Sequence, residues 1–187
     1  MKEKLLKLGL GLSVLSLLCW VITSYTKLAV CASDSLKGIH YALFLKSASI
    51  KRGDIVLLPN YPVPYVGEKS ISKRIFGLPG DRISRDREGI KIVSQDLDLE
   101  NSNPKHLPLL EKTSKGEPLT PLSERVIPAG YVFVAGDNAR SFDSRYEEFG
   151  LIEKERIWGK AIWVCGTHCP AFRWILESAN QEARVEK

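Results

Sequence analysis

The chain has 187 residues and a formal net charge of +5, from 27 lysines and arginines against 22 aspartates and glutamates. With 44% hydrophobic and 26% charged residues it has room for one well-buried domain, and two full domains are a poor fit. The positive excess is small and scattered, which argues against a nucleic-acid platform and leaves a mildly basic surface suited to anionic lipid.

Residues 1–7 carry Lys2, Lys4 and Lys7, and an apolar run follows over 8–30, broken by small hydroxyl residues and Lys27. That run has the roughly 20 residues a helix needs to cross a bilayer. It predicts a transmembrane anchor with Lys27 near its far end. The lysines before it predict a cytoplasmic N-terminus and an exported remainder. A cleavable secretory signal is the alternative, with 8–22 as its apolar core and small residues at 30–32 as the cut. A lipoprotein signal fits poorly because Val30 stands where a smaller residue is usual.

From 31 to 170 the pattern is of short strands between turns: 39–45, 54–58, 90–93, 131–135 and 161–165. Helical periodicity is weak there, so the spacing predicts a mainly β domain. Residues 97–122 shift to Asn, Pro, Lys, Glu and Ser, which predicts a solvated surface insertion. Residues 171–187 predict a short C-terminal helix or tail on the domain or on lipid.

Four cysteines do not make a disulfide scaffold. Cys165 and Cys169 predict a disulfide or two free thiols. A metal site with His168 is disfavoured, because it supplies only three ligands and no second cluster is present.

Three segments carry chemistry. Ser33-Asp34-Ser35-Leu36-Lys37 follows the apolar run directly. Ser72-Lys73-Arg74-Ile75-Phe76-Gly77-Leu78-Pro79-Gly80-Asp81 places Lys73 in a strand-like stretch, alternating with Ile71 and Ile75. Gly136-Asp137-Asn138 leads into Ser141-Phe142-Asp143-Ser144-Arg145. A serine needs a base to become a nucleophile. His40, His106 and His168 come without a convincing acid partner, and His40 is the one near Ser35. A lysine buried among apolar side chains is held toward its neutral form and can take the serine proton.

These segments resemble the bacterial type I signal peptidases, membrane-anchored serine endopeptidases with a Ser-Lys dyad. The short chain, the single anchor, Ser-Leu-Lys after the nucleophile position and the Glu147-Glu148 step resemble most the conjugative-transfer, TraF-like branch. The resemblance implies a signal-peptidase-like fold of coiled antiparallel β-sheets behind one N-terminal transmembrane helix. It implies Ser35 as nucleophile and Lys73 as base. The Ser35 backbone N–H and the Ser33 hydroxyl would stabilise the oxyanion. Ser141 would orient the lysine, with Gly136, Asp137, Asn138 and a buried Asp143–Arg145 pair supporting the site.

The sequence departs from the family at Lys37 and Gly38, where a proline is usual after the serine. The implied partners are exported precursor proteins, a propilin above all, the lipid bilayer and other transfer-apparatus proteins. Neither cofactor nor metal nor nucleic acid is implied. The implied location is the bacterial inner membrane, single-pass, with a periplasmic catalytic domain. A general type I signal peptidase, a self-cleaving LexA-like protease and a non-catalytic secretion component are the rival readings. No DNA-binding domain precedes the site, which disfavours the LexA-like one.

Overall fold

In the computed structural model, residues 2–31, 34–46, 49–94 and 106–166 are described. The fold is mainly β and antiparallel, with one helix at its start. Helix α1 covers Lys2–Tyr25, and the apolar run then changes form. Thr26–Val30 is strand β1, which pairs antiparallel with β2 (Tyr41–Lys46). The expected anchor over 8–30 is therefore divided between a helix and a sheet edge. The β-branched Thr26 and Val30 lose side-chain freedom in a helix and suit a strand. Lys27 does not trail from a helix end; its Nζ stands 4.6 Å from the centre of the Trp158 ring. No helix among the described residues is long and apolar enough to cross a membrane.

The main sheet runs β1-β2-β10-β3-β4-β8-β9, with β3 Ile55–Val63, β4 Gly67–Gly77, β8 Tyr131–Ala135, β9 Ile152–Glu153 and β10 Gly159–Cys165. A smaller sheet has the order β6-β5-β7, from Gly89–Val93, Arg82–Asp86 and Arg125–Val126. β3 and β4 form the long hairpin that carries the site, with Val56 opposite Lys73.

The period of two along β4 turns Lys73, Ile75 and Gly77 inward. Val56, Leu58, Ile75, Val132 and Val134 pack beneath them. A separate cluster of Leu36, Ala42, Phe44, Ile55 and Leu57 lies under the Ser35 turn. Each buried Val, Leu, Ile or Phe side chain among these contributes about 1.5–3 kcal/mol of apolar burial.

The expected solvated insertion over 97–122 is corrected in its second half. Leu107, Leu119 and Leu122 are buried, and Leu107 exchanges both backbone hydrogen bonds with Ile90. The reason is that an irregular segment carries no period while its leucines still fill a gap in the core, here beside Ile83, Ile127 and Phe133. Residues 95–105 and the predicted tail at 171–187 lie outside the described residues. Cys165 is disulfide-bonded, and Cys169 and His168 lie outside the described residues.

Candidate active site

Ser35 sits in the turn between β1 and β2, held on two sides. Leu36 is buried and anchors the following residue in the core. The Asp137 N–H donates to the Ser35 carbonyl at 2.6 Å. At the point where the family's proline is missing, the Ile39 N–H donates to the Leu36 carbonyl at 3.2 Å and Gly38 has φ +74°. Glycine takes that left-handed geometry without steric cost, so Lys37-Gly38 closes the turn by another route.

Lys73 is 5% exposed. Its Nζ lies 3.1 Å from Ser35 Oγ and 2.6 Å from Ser141 Oγ, and the two hydroxyl oxygens are 3.4 Å apart. Burial pushes the ammonium down from its ordinary 10.5 to about 8, the Asp143 carboxylate partly opposes this, and the Arg145 guanidinium adds to it. A large fraction of the amine is thus neutral near pH 8, with its lone pair free to accept the Ser35 proton.

Gly136 is where the Ser141 side chain and the Ser35 turn converge. A Cβ there would meet Ser141 Oγ at 2.4 Å, Ser141 Cβ at 2.6 Å and the Ser35 carbonyl at 2.7 Å. Only a residue without a side chain lets these pieces converge. The Gly136 N–H donates to Asp143 Oδ2 at 2.8 Å.

Asp143 and Arg145 are fully buried and paired two-fold, Nε to Oδ1 and one terminal nitrogen to Oδ2, each at 2.8 Å. The other guanidinium donors reach the carbonyls of Pro108, Asn138, Ala139 and Ser141 at 2.8–3.1 Å. Arg145 therefore clamps the backbone on both sides of Ser141, and no donor is left without an acceptor. The Pro108 carbonyl comes from the segment that composition marked as solvated. Asn138 also receives the Arg140 N–H on its side-chain oxygen.

Two ion pairs escape sequence reasoning. Arg74, on the opposite face of β4 from Lys73, makes two bonds of 2.9 Å to the Asp137 carboxylate. It ties the lysine strand to the turn that holds Ser35. Arg52 binds Asp81 at 2.7 Å and also the Phe76 carbonyl, fixing the Gly-Leu-Pro-Gly-Asp turn after the strand. The adjacency of Arg74 to Lys73 is the only hint in sequence, and it does not choose among the carboxylates.

Ser33 lies outside the described residues. The His40 backbone bridges Cys31 and Cys165, and among the described residues the polar partners of Ser35 Oγ are Lys73 and Ser141. A cleft of about 850 Å³ opens over the dyad between β1 and the outer part of β4. Apolar walls come from Ala29, Leu36, Leu57, Ile71 and Phe142, and the half-buried Cys31 thiol also faces it. Among the described residues no group of three or more possible metal ligands occurs.

The antiparallel fold brings the side chains of Ser35, Lys73 and Ser141 into one hydrogen-bonded cluster. The model of the signal peptidase, peptidase S26 family matches residues 5–165, and the chain belongs to that family. It is similar to signal peptidase I of Bacillus licheniformis, 34% identical over 121 residues, which is 61% of this chain and 58% of that protein. Signal peptidase I of Bacillus caldolyticus is 33% identical over 115 residues, 59% of each chain. Signal peptidase I S of Bacillus subtilis strain 168 is 34% identical over 118 residues, 60% of this chain and 58% of that one. Each match covers less than two thirds of the relative. A solved signal peptidase I from Enterococcus faecalis V583 is similar at 27% identity and a TM-score of 0.36, over 60% of this chain and 96% of that one.

Proposed function

We propose that the protein is a serine endopeptidase that removes leader peptides from exported precursors. The observation that carries this reading is the 3.1 Å separation of Lys73 Nζ and Ser35 Oγ in a site where the lysine is almost wholly buried. Ser35 Oγ attacks the scissile carbonyl and its proton passes to Lys73 Nζ. Lys73 then returns the proton to the leaving amine. The acyl-enzyme is cleared by a water that the same amine activates. Ser141 aims the amine, and the Ser35 N–H with the Ser33 hydroxyl receives the developing oxyanion. The substrate enters as an extended strand along the open edge of β1 and the part of β4 before Arg74, which β8 leaves unpaired. A non-catalytic component would have no need of this spacing or of the clamp on Ser141.

The finer reading is maturation of a propilin in conjugative transfer, together with other transfer-apparatus proteins. It is supported by Glu147-Glu148, whose carboxylates hold the Ser123 and Thr120 N–H groups and so anchor the 106–123 segment beside the site. A general signal peptidase is a second reading, favoured by the three Bacillus relatives. The membrane reading is supported by the outward-facing Leu12, Leu17 and Trp20 of α1, and by the exposed Leu28, Val30, Ile162 and Val164 of β1 and β10. Together with Lys2, Lys4 and Lys7 they favour a cytoplasmic N-terminus, a single-pass inner-membrane anchor and a periplasmic site.

The test is to incubate the full chain in detergent with a propilin from its own transfer cluster and with an ordinary secreted precursor, then sequence the new N-termini. Cleavage of both at a small residue supports the general enzyme, and cleavage of the propilin alone supports the conjugative one. Failure on both, in a folded protein, defeats the peptidase reading.

A further inference from the structure

A second recess, of about 420 Å³, adjoins the catalytic cleft. Phe142 and Val66 line both, so these two side chains form the ridge between them. Ser141 belongs to the wall of the second recess, whereas Ser35 and Lys73 belong to the first. Tyr65, Leu110 and Tyr146 supply its apolar surface. Lys112, Lys115 and Arg140 line it too, all three exposed, and its lining contains no carboxylate. None of the three cations is held in an ion pair among the described residues.

Tyr65 adds an independent observation. It occupies the third position of the Val63-Pro64-Tyr65-Val66 turn with φ +64°, and the Val66 N–H donates to the Val63 carbonyl at 3.1 Å. Glycine or asparagine is usual at such a position, and a bulky aromatic there is an outlier. The ring lies against Phe142, 6.0 Å between centroids and tilted by 52°, and both line the recess.

The direction of the chemistry gives the recess an occupant. A base that takes the serine proton must return it to the leaving nitrogen, so that nitrogen comes to lie against Lys73 Nζ. The shorter of the two hydrogen bonds of Nζ goes to Ser141 Oγ, at 2.6 Å, on the wall of the second recess. The acyl portion of the substrate remains with Ser35, Leu36 and the β1 and β4 edges. The portion that departs with the new amine is led across Phe142.

We infer that the second recess binds the mature side of the substrate, taking an apolar or aromatic side chain against Tyr65 and Phe142, followed by acidic residues that face Lys112, Lys115 and Arg140. This inference rests on the peptidase reading. It makes the three cations and Tyr65 specificity-determining residues for the segment after the cut.

The test uses the full chain with Ser35→Ala, in detergent, and two labelled peptides that span one cleavage site. The peptides differ only in carrying aspartates or lysines at the second to fourth positions after the cut. The acidic peptide is expected to bind roughly 10-fold tighter at low ionic strength, with the ratio shrinking as salt rises. Charge reversal by K112E, K115E and R140E together is expected to invert the preference. Tyr65→Gly, which suits the backbone and removes the ring, is expected to weaken both peptides. Equal affinities, a ratio unchanged by charge reversal, or no binding of either peptide overturns the inference. Wild-type cleavage of the same peptides keeps the two ideas apart. Turnover with no charge preference defeats the recess alone, and a charge preference in binding with no turnover defeats the peptidase reading alone.

Discussion

Ser141 Oγ is closer to Lys73 Nζ than Ser35 Oγ is, at 2.6 Å against 3.1 Å. On the proposed reading Ser141 accepts an N–H of the lysine and anchors it, which leaves the single lone pair of the neutral amine for the Ser35 proton. Removing the anchor should leave the substrate cleft intact. Ser141→Ala is expected to lower kcat by about 10- to 100-fold with KM nearly unchanged. A rise in KM with kcat preserved would place Ser141 in substrate binding instead.

Rate should follow the neutral fraction of Lys73. With its pKa pushed down to about 8, kcat/KM should rise about 10-fold per pH unit below that value and level off above it. Asp143→Asn removes the carboxylate that holds the lysine up, so the ascending limb should move to lower pH. The same substitution leaves Arg145 buried without its counter-charge, and should cost about 3–5 kcal/mol of stability. Pre-steady-state rates across pH 6–10 together with urea melts check both parts, and a limb that moves upward contradicts the assignment.

The same group makes stability depend on pH. The folded pKa of Lys73, about 8, is below that of the unfolded chain, near 10.5, so the unfolded state binds more protons between these values. Stability should therefore rise as pH climbs through that window, and below pH 8 the full cost of burying the ammonium is present. Lys73→Met keeps the volume and removes the charge. It is expected to stabilise the protein by up to about 3 kcal/mol at pH 7, an advantage that fades by pH 10.5. Thermal melts of the two proteins at several pH values measure it, and a Lys73→Met protein that is less stable at pH 7 speaks against a desolvated lysine.

Gly136 is the tightest steric constraint on the site. Gly136→Ala puts a methyl group within 2.4–2.7 Å of Ser141 and the Ser35 carbonyl, in a region with no slack. The expected outcome is a loss of more than about 100-fold in kcat/KM and about 2–4 kcal/mol in stability. Normal activity in that variant would mean that the serine turn and the Ser141 segment do not converge as described.

How much of this was legible in the sequence differs by element. Alternation with Ile71 and Ile75 was enough to put Lys73 on the inner face of a strand, because a period of two is a local property. The Gly136 to Arg145 stretch was legible as a unit through family resemblance, while its physics was not. Nothing local says that Arg145 reaches Pro108, 37 residues away, or that Arg74 selects Asp137. The division of the apolar run at Tyr25 was missed for a different reason. The β-branched Thr26 and Val30 bias the segment only weakly, and its pairing with β2 decides it as a strand. The buried leucines of 107–122 were hidden because they fill the core without a regular repeat.

The most direct measurement of the central claim is single-turnover cleavage of a leader-bearing precursor by four proteins: wild type, Ser35→Ala, Lys73→Met and His40→Ala, each shown to be folded. The account predicts cleavage by the wild type and His40→Ala proteins, and none detectable by the other two. Cleavage that survives Ser35→Ala or Lys73→Met, or that disappears in His40→Ala, would contradict it.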